Sequence, residues 1–141
     1  MSKSGSNLFK YTAGASADLV KELDQSGEKH NSNDIVGITR DPITGKLAWL
    51  ENGNTSAGLN HILDQHGKQF NDKGISNEEL PHYIMEAINQ GRIIDYQGSG
   101  TTRPIYEFVY KGEIQQIAIT IGNNGFIVGA NPRSIKEYKE D

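Results

Sequence analysis

The chain has 141 residues, of which 35% are hydrophobic, and a formal net charge of −4. This length favours one small domain, and the acidic balance argues against a protein that binds nucleic acid through a global basic field. With no cysteine, the chain has no disulfides, thiolate metal sites or cysteine nucleophiles. No apolar run approaches the roughly 18 residues of a membrane helix, and no signal-peptide pattern is present, so we expect a soluble chain with no membrane partner.

The first 33 residues read as a flexible leader or a separate, loosely attached piece, and residues 34–141 as the functional domain. "MSKSGSN" is small and polar, whereas "SADLVKELDQSG" predicts one short helix between a Ser16 cap and Gly27. After a polar linker, "DIVGITR" and "KLAWLEN" flank "DPITG", which predicts a short β-hairpin.

Two amphipathic helices are predicted in the middle of the chain. The first contains "GLNHILDQHGKQF", with Thr55 or Ser56 as N-cap and Gly67 as its end. The second follows "SNEE", which matches a capping box, and carries an apolar stripe that runs up to Gly91.

From Arg92 onwards four strand-like runs predict an antiparallel meander: "RIIDY", "RPIYEFVY", "EIQQIAIT" and "FIVGA". A two-residue turn at Lys111-Gly112 would pair Tyr106 with Ile117 and Arg103 with Thr120. The same reasoning at Asn124-Gly125 would pair Ile119 with Ala130 and Ile121 with Val128. The predicted class is therefore α+β, with N-terminal helices packed on a C-terminal antiparallel sheet of about four strands.

The two faces of this predicted sheet differ in chemistry. The core face would collect Tyr106, Phe108, Ile117, Ile119, Ile121, Phe126, Val128 and Ala130. The other face holds polar side chains, among them Arg103 and Thr120, and is where we expect a site. Residues 91–136 carry five Lys or Arg against three Asp or Glu, which suits an anionic ligand and equally an ordinary mixed surface.

His61 and His66 lie five positions apart on the first of these helices. On a helix this spacing separates the side chains by about 140°, and it does not match the i,i+4 spacing of helical zinc ligands, so a metal site is disfavoured. Taken alone, His66 reads more readily as a histidine at the border of the core and His61 as an exposed side chain.

The order of motifs along the chain resembles the barnase-EndoU-colicin-RelE nuclease superfamily. The motifs are the "AGLNHILDQHGKQF" helix, the "TTR" strand start and the "TIGNNGFIV" hairpin, within about residues 45–135. The likeness is greatest to toxin domains at the C-termini of contact-dependent growth inhibition proteins and related polymorphic toxins.

The resemblance implies a metal-independent endoribonuclease that needs no cofactor, cuts RNA, often transfer RNA, and serves in competition between bacteria. It also implies a cognate immunity protein as partner, for some relatives an elongation factor, and delivery from the cell surface as part of a larger toxin into the cytoplasm of a target bacterium. Sites in this family combine helix histidines with Arg, Thr and often Tyr. The matching positions are His61, His66, Arg103, Thr120 and Tyr106.

Two questions stay open at this stage. By strand alternation Tyr106 belongs to the core face, so either its strand carries a bulge or the cleft opens on the helix side. The alternative function is a noncatalytic α+β protein-binding module, in which the histidines border the core and Arg103 and Thr120 form a plain cross-strand contact.

Overall fold

The computed structural model describes residues 14–134 and confirms the α+β class. In chain order the elements of this range are α1 (Gly14–Asp24), a 3-10 turn (Ser32–Asp34), β1 (Ile35–Arg40), β2 (Leu47–Glu51), α2 (Leu59–Asp72), α3 (Leu80–Gln90), β3 (Arg92–Tyr96), β4 (Pro104–Tyr110), β5 (Glu113–Ile121) and β6 (Ile127–Arg133). None of these helices is long and apolar enough to span a membrane. The predicted leader, residues 1–7, lies outside the described range.

The last four strands form one antiparallel sheet in the order β3-β4-β5-β6, as the meander predicted. Lys111 (φ 51) and Gly112 (φ 81) both adopt the left-handed backbone conformation that a two-residue hairpin turn requires. This turn pairs Tyr106 with Ile117, which confirms the predicted β4–β5 register.

The β5–β6 pairing follows the prediction at Ile119 and Ala130 and then shifts by one residue. Ile121 lies opposite Ile127, so the predicted pair of Ile121 with Val128 is wrong. The reason is a β-bulge, which places one extra residue in β6 and changes the face that the following side chain occupies. Ile127, fully buried, takes the core position that we had assigned to Val128.

Helices α2 and α3 pack on the core face of this sheet. Their fully buried side chains include Ile62 and Phe70 of α2 and Tyr83 and Ile84 of α3. The main core cluster joins these to buried residues of the sheet, among them Tyr106, Phe108, Tyr110, Ile117, Ile119, Ile127 and Ala130. The Tyr83 ring lies 5.1 Å from that of Phe108 and 4.8 Å from that of Tyr110, in edge-to-face contacts that favour this arrangement.

The β1–β2 hairpin is confirmed and forms a second, two-stranded sheet. Trp49, which is fully buried, packs with Leu23 of α1 and with Phe126 in a second core cluster. The Trp49 amide also donates to the Gly125 carbonyl oxygen at 3.0 Å. A Cβ on Gly125 would lie 2.0 Å from the Leu47 carbonyl oxygen, so glycine permits this close approach of the hairpin to the end of the sheet.

His30, which had no role in the sequence analysis, ties the end of α1 to the chain that follows it. Its Nε2 lies 2.8 Å from Asp24 Oδ1, and its Nδ1 lies 2.7 Å from the Glu28 carbonyl oxygen. The hydrogen bond with Asp24 raises the pKa of His30, and the Glu28 carbonyl adds to this effect. Each ring nitrogen therefore lies at hydrogen-bond distance from an oxygen that can accept, which favours the protonated form of the ring.

Two helix ends differ from the prediction. Gly67 does not end α2, which continues to Asp72. Burial of Phe70 beyond it outweighs the helix penalty of about 1 kcal/mol for one glycine. At the other end of the chain, α1 already begins at Gly14, so Ser16 lies within the helix and is not its cap.

Glu79 fixes the start of α3 and connects it to β4. Its carboxylate accepts from the Ser76 amide at 2.8 Å, which confirms the predicted capping box, and from the Tyr110 hydroxyl at 2.7 Å. Lys111 Nζ lies 3.0 Å from the same carboxylate. Burial of Glu79 favours its neutral form, but these donors outweigh it and lower the pKa from its ordinary 4.5 to about 2.

We predict that Glu79→Ala lowers the free energy of unfolding by about 2 kcal/mol at pH 7, because a cap and two charge-assisted hydrogen bonds are lost. Urea unfolding measures this loss. Glu78→Ala, an exposed neighbour, is the matched control and should change stability by less than about 0.5 kcal/mol.

The contribution of Glu79 to the free energy of unfolding depends on pH. Since folding depresses the pKa of Glu79, its contribution is fully present above pH 4.5 and disappears as the pH falls toward 2. The difference between the unaltered chain and Glu79→Gln should therefore shrink over that window. An unchanged difference between pH 7 and pH 3 would contradict the assigned role.

Candidate functional site

The loop between β2 and α2, residues 52–58, folds tightly around two glycines. Gly53 (φ 65) and Gly58 (φ 93) adopt backbone conformations that other residues rarely accept. A Cβ on Gly53 would lie 2.0 Å from the Ala57 carbonyl oxygen, and one on Gly58 would lie 2.8 Å from that of Glu51. Neither position can take a side chain unless the backbone moves.

Helix α2 is attached to β6 from its first turn. Its N-cap is Gly58, which lacks a capping side chain, so the prediction of Thr55 or Ser56 as N-cap is wrong. The reason is a tertiary contact. The Gly58 amide donates to the Val128 carbonyl oxygen at 3.0 Å, at the bulge of β6. The loop thereby brings the Thr55 carbonyl oxygen within reach of the first turn of the helix.

His61 forms a hydrogen bond with the carbonyl group of Thr55. Its Nδ1 lies 2.8 Å from the Thr55 carbonyl oxygen. Because a carbonyl oxygen only accepts, Nδ1 carries the proton, and in the neutral ring Nε2 is left as an acceptor. The half-buried ring packs over β6, where its Cδ2 and Nε2 lie 3.5 and 3.7 Å from the position that a Cβ on Gly129 would occupy.

Gly129 pairs with Thr120 across the β5–β6 ladder. Partners in an antiparallel ladder have Cα atoms about 5 Å apart, so the imidazole lies within one strand spacing of the half-buried Thr120. Thr120 alternates with the core residue Ile119 and therefore belongs to the face away from the main core. We call His61, Thr120 and Gly129 the His61 cluster.

Polar side chains continue along that face beside the His61 cluster. Gln97 and Asn131 exchange two hydrogen bonds, of 3.0 and 3.2 Å. Arg133 Nη1 donates to Gln97 Oε1 at 3.1 Å. Asn131 and Arg133 follow Gly129 at two-residue intervals, so all three share one face of β6.

Arg103 lies in the turn just before β4, because the β4–β5 ladder ends at Ile105 and Ala118. The predicted pairing of Arg103 with Thr120 therefore falls beyond the paired residues. Its carbonyl oxygen accepts from the Gln97 amide at 2.9 Å, which holds the turn near the Gln97–Asn131 pair. Its side chain is exposed and, within residues 14–134, forms no ion pair.

His66 lies one and a half turns further along α2 and is half-buried. Its Nδ1 is hydrogen-bonded to Gln69 Oε1, a side chain of the same helix. Within the described residues its only side-chain hydrogen bond therefore stays on α2, and its predicted catalytic role stays a prediction.

Tyr106 occupies the core face, as strand alternation indicated, and its side chain is only 1% exposed. The β4–β5 ladder is regular at Tyr106, and the register shift of the β3–β4 ladder opposite Tyr106 places its extra residue in β3. The first of the two alternatives raised by the sequence, a bulge in the strand of Tyr106 itself, is therefore wrong. Tyr106 instead lines a cavity of about 280 Å³ at the end of the sheet, on the other face from Thr120. Its role in catalysis stays a prediction.

Three residues of this region were not predicted from the sequence: Thr55, Gln97 and Asn131. Thr55 acts through its backbone carbonyl group, which no side-chain pattern reveals. Gln97 and Asn131 are separated by 34 residues and are brought together only by the fold. The alternation of β6 could have placed Asn131 on the polar face, but nothing in the sequence pointed to its partner.

Within residues 14–134 no three His, Asp or Glu side chains converge in a way that could hold a metal ion. Comparison with models of protein families and with curated proteins finds no match to the chain.

We predict that Gly53→Ala disrupts the orientation of His61 because the new Cβ would collide with the Ala57 carbonyl oxygen. Gly74→Ala is the matched control, since Gly74 has a similar φ of 89 but open space around it. The control should cost about 1–2 kcal/mol of stability, and Gly53→Ala at least about 1 kcal/mol more. Imidazole ¹⁵N chemical shifts should show a protonated Nδ1 on His61 in the unaltered chain and the control. Loss of that signature in the control as well would contradict the proposed role of the loop.

Proposed function

We propose that this protein is a metal-independent endoribonuclease of the barnase-EndoU-colicin-RelE type. The observation that carries the proposal is the hydrogen bond from His61 Nδ1 to the Thr55 carbonyl oxygen, which leaves Nε2 as a base beside the Thr120–Gly129 pair. The α+β fold, with helices before a four-stranded antiparallel sheet, supports the same assignment.

The proposed reaction uses the RNA as its own nucleophile. His61 Nε2 accepts the proton of a 2′-hydroxyl, whose oxygen attacks the adjacent phosphorus. The bond from phosphorus to the 5′-oxygen breaks, which leaves a 2′,3′-cyclic phosphate and, after that oxygen takes up a proton, a free 5′-hydroxyl. Proton transfer by a positioned imidazole contributes about 10² to 10⁴ in rate. His66 remains the candidate for the acid.

The phosphate in this proposal lies between His61 and the turn that carries Arg103. The guanidinium of Arg103 has two parallel donors for two phosphate oxygens, a geometry that stabilises charge developing in the transition state. The Thr120 hydroxyl group can donate to the same phosphate. Arg133, held by Gln97, adds positive charge on that face.

We further propose that the substrate is transfer RNA and that the domain acts as a toxin in competition between bacteria. In this proposal it reaches the cytoplasm of a target bacterium as the C-terminus of a larger secreted or cell-surface protein. A cognate immunity protein protects the producing cell, and an elongation factor is a candidate helper. The motif order quoted above supports these proposals.

Incubation of the purified protein with total RNA in EDTA tests the activity. We expect discrete fragments with 2′,3′-cyclic phosphate ends, since the proposed chemistry uses only side chains of the protein. His61→Ala should abolish them. Intact RNA, even with a translation factor added, would favour a noncatalytic protein-binding module, and a requirement for a divalent cation would reject the metal-free mechanism.

We predict that Arg103→Lys reduces kcat by at least about tenfold without unfolding the domain, since lysine keeps the charge but loses the two-pronged geometry. Its exposed side chain contributes little to stability, so the melting temperature should stay within a few degrees. The matched control is Arg92→Lys, on the edge strand, which is paired with Glu107. If Arg103→Lys melts the domain while cleavage persists, Arg103 is structural.

A further inference from the structure

Asp34, the last residue of the 3-10 turn before β1, holds the start of the loop that orients His61. Its carboxylate accepts from Asn52 Nδ2 with Oδ1 at 3.2 Å and from the Gly53 amide with Oδ2 at 3.0 Å. Its backbone carbonyl oxygen accepts from the Asn52 amide at 3.0 Å. Three oxygens of one residue thus contact two consecutive residues of the loop, although β1 and β2 lie between them in the chain.

Asn60 holds the same part of the loop from the side of helix α2. Its amide donates to the Asn52 carbonyl oxygen at 2.8 Å, and its Nδ2 donates to the Gly53 carbonyl oxygen at 3.1 Å. The amide and carbonyl groups of both loop residues are therefore engaged, by Asp34 on one side and by Asn60 on the other. Because Asn60 directly precedes His61, these bonds set the start of the loop relative to the imidazole.

A closed turn in the middle of the loop presents the carbonyl group that fixes the imidazole. The Asn54 amide donates to the Ala57 carbonyl oxygen at 3.0 Å, and Thr55 lies inside this turn. The Thr55 carbonyl oxygen is the one that lies 2.8 Å from His61 Nδ1. Because the turn follows Gly53 directly, the position of the Thr55 carbonyl group depends on where Gly53 is held.

The charge of the Asp34 carboxylate suits it to hold the loop. Hydrogen bonds to an ionised acceptor are roughly twice as strong as those between neutral groups. Asp34 is half-buried and, within residues 14–134, forms no ion pair that would engage its oxygens elsewhere. Without the carboxylate, the Gly53 amide and the Asn52 side chain would each lack an acceptor. An N–H group left without an acceptor costs free energy, so the loop would shift until these groups found other partners.

Such a shift would change the chemistry of His61. In a neutral imidazole, the hydrogen bond of one nitrogen decides which nitrogen carries the proton. If the Thr55 carbonyl oxygen moves out of reach of Nδ1, the proton can occupy Nε2 instead. Nε2, which lies beside the Thr120–Gly129 pair, would then be a donor and could not accept the proton of a 2′-hydroxyl group.

We propose that Asp34 is a positioning residue for His61. It does not touch the substrate; it holds the 52–58 loop so that the Thr55 carbonyl group keeps the proton of the ring on Nδ1 and Nε2 remains a base. The catalytic meaning of this role rests on the proposed ribonuclease function, although the protonation of the ring can be measured without RNA. The turn before β1 thereby becomes part of the candidate site.

Asp34→Asn tests the proposal, because it removes the charge and turns one of the two acceptors into a donor. In long-range ¹H–¹⁵N spectra of the neutral ring, we expect Nδ1 of His61 to be protonated in the unaltered chain. In the variant we expect this signature to be lost in favour of Nε2. For RNA cleavage, kcat should fall at least about tenfold and KM should stay within about threefold, because the contacts with the substrate remain.

Two controls separate positioning from a general loss of stability. Asp72→Asn makes the same charge change at the exposed end of α2 and should leave the His61 tautomer and kcat unchanged. Glu79→Ala removes contacts with Tyr110 and Lys111 rather than with the loop, so the melting temperature should fall while the Nδ1 signature persists. Loss of the signature in Glu79→Ala as well would overturn the proposal.

An exchange of donor and acceptor tests the side-chain bond itself. In the double variant Asp34→Asn with Asn52→Asp, the new amide can donate to the new carboxylate, and its oxygen can accept from Gly53. We expect the Nδ1 signature to return and kcat to recover to within about threefold of the unaltered chain. Asn52→Ala removes only the 3.2 Å bond and should shift part of the ring population to the Nε2 form, even where Asp34→Asn does not fold. An Nδ1 signature that persists in full in Asn52→Ala and in folded Asp34→Asn, or a folded double variant without it, would overturn the proposal.

The positioning role and the ribonuclease can fail separately. A change of tautomer in Asp34→Asn, in a protein whose unaltered chain leaves RNA intact, would retain the control of His61 by Asp34 and reject the ribonuclease. Cleavage of RNA with equal kcat in the unaltered chain and in Asp34→Asn would retain the ribonuclease and reject the positioning role.

Discussion

The alternation of side chains along β5 is the constraint on which the rest of the structure depends. β5 pairs with a strand on each side, and its odd-numbered residues Ile117 and Ile119 face the helices while Thr120 faces away. A slip of one residue would exchange the two faces and expose the core. The turn at Lys111-Gly112 prevents this slip, because both residues must adopt a left-handed conformation at fixed positions. Polar and apolar side chains of this strand are thereby kept on opposite faces of the sheet.

The bulge in β6 determines where α2, and with it the His61 cluster, meets the sheet. Up to Gly129 the ladder keeps Thr120 in register, and beyond it Val128 is displaced so that its carbonyl oxygen accepts from the Gly58 amide. That bond sets where α2 begins, and burial of Ile62 and Phe70 holds the helix along β6. His61 therefore owes its position to core packing on one side of the helix and its tautomer to the Thr55 carbonyl group. Rigid elements position the imidazole, and a backbone group orients it.

The parts of the structure that the sequence predicted are those that local rules determine. Two-residue turns determined the β4–β5 register, and Ser76 with Glu79 determined the start of α3. The bulge at Ile121, the glycine N-cap of α2 and the continuation of the helix through Gly67 escaped prediction, since each depends on contacts between distant segments. The candidate site shows the same difference. Strand alternation predicted that Thr120 and Tyr106 lie on opposite faces of the sheet, whereas the contact of His61 with β6 could be seen only in the structure.

The acidic net charge of the chain does not describe the field at the His61 cluster. Three carboxylates form ion pairs elsewhere: Glu79 with Lys111, Glu22 with Arg40 and Glu107 with Arg92. The electric fields of two opposite charges so close together largely cancel for any group further away than the Debye length, which is about 8 Å at physiological ionic strength. Arg103 has no such partner within residues 14–134, so in the proposed function its charge is available to a phosphate of the substrate. Hence a polyanion can be attracted locally by a protein of net charge −4, and the binding that results should be weak away from this face.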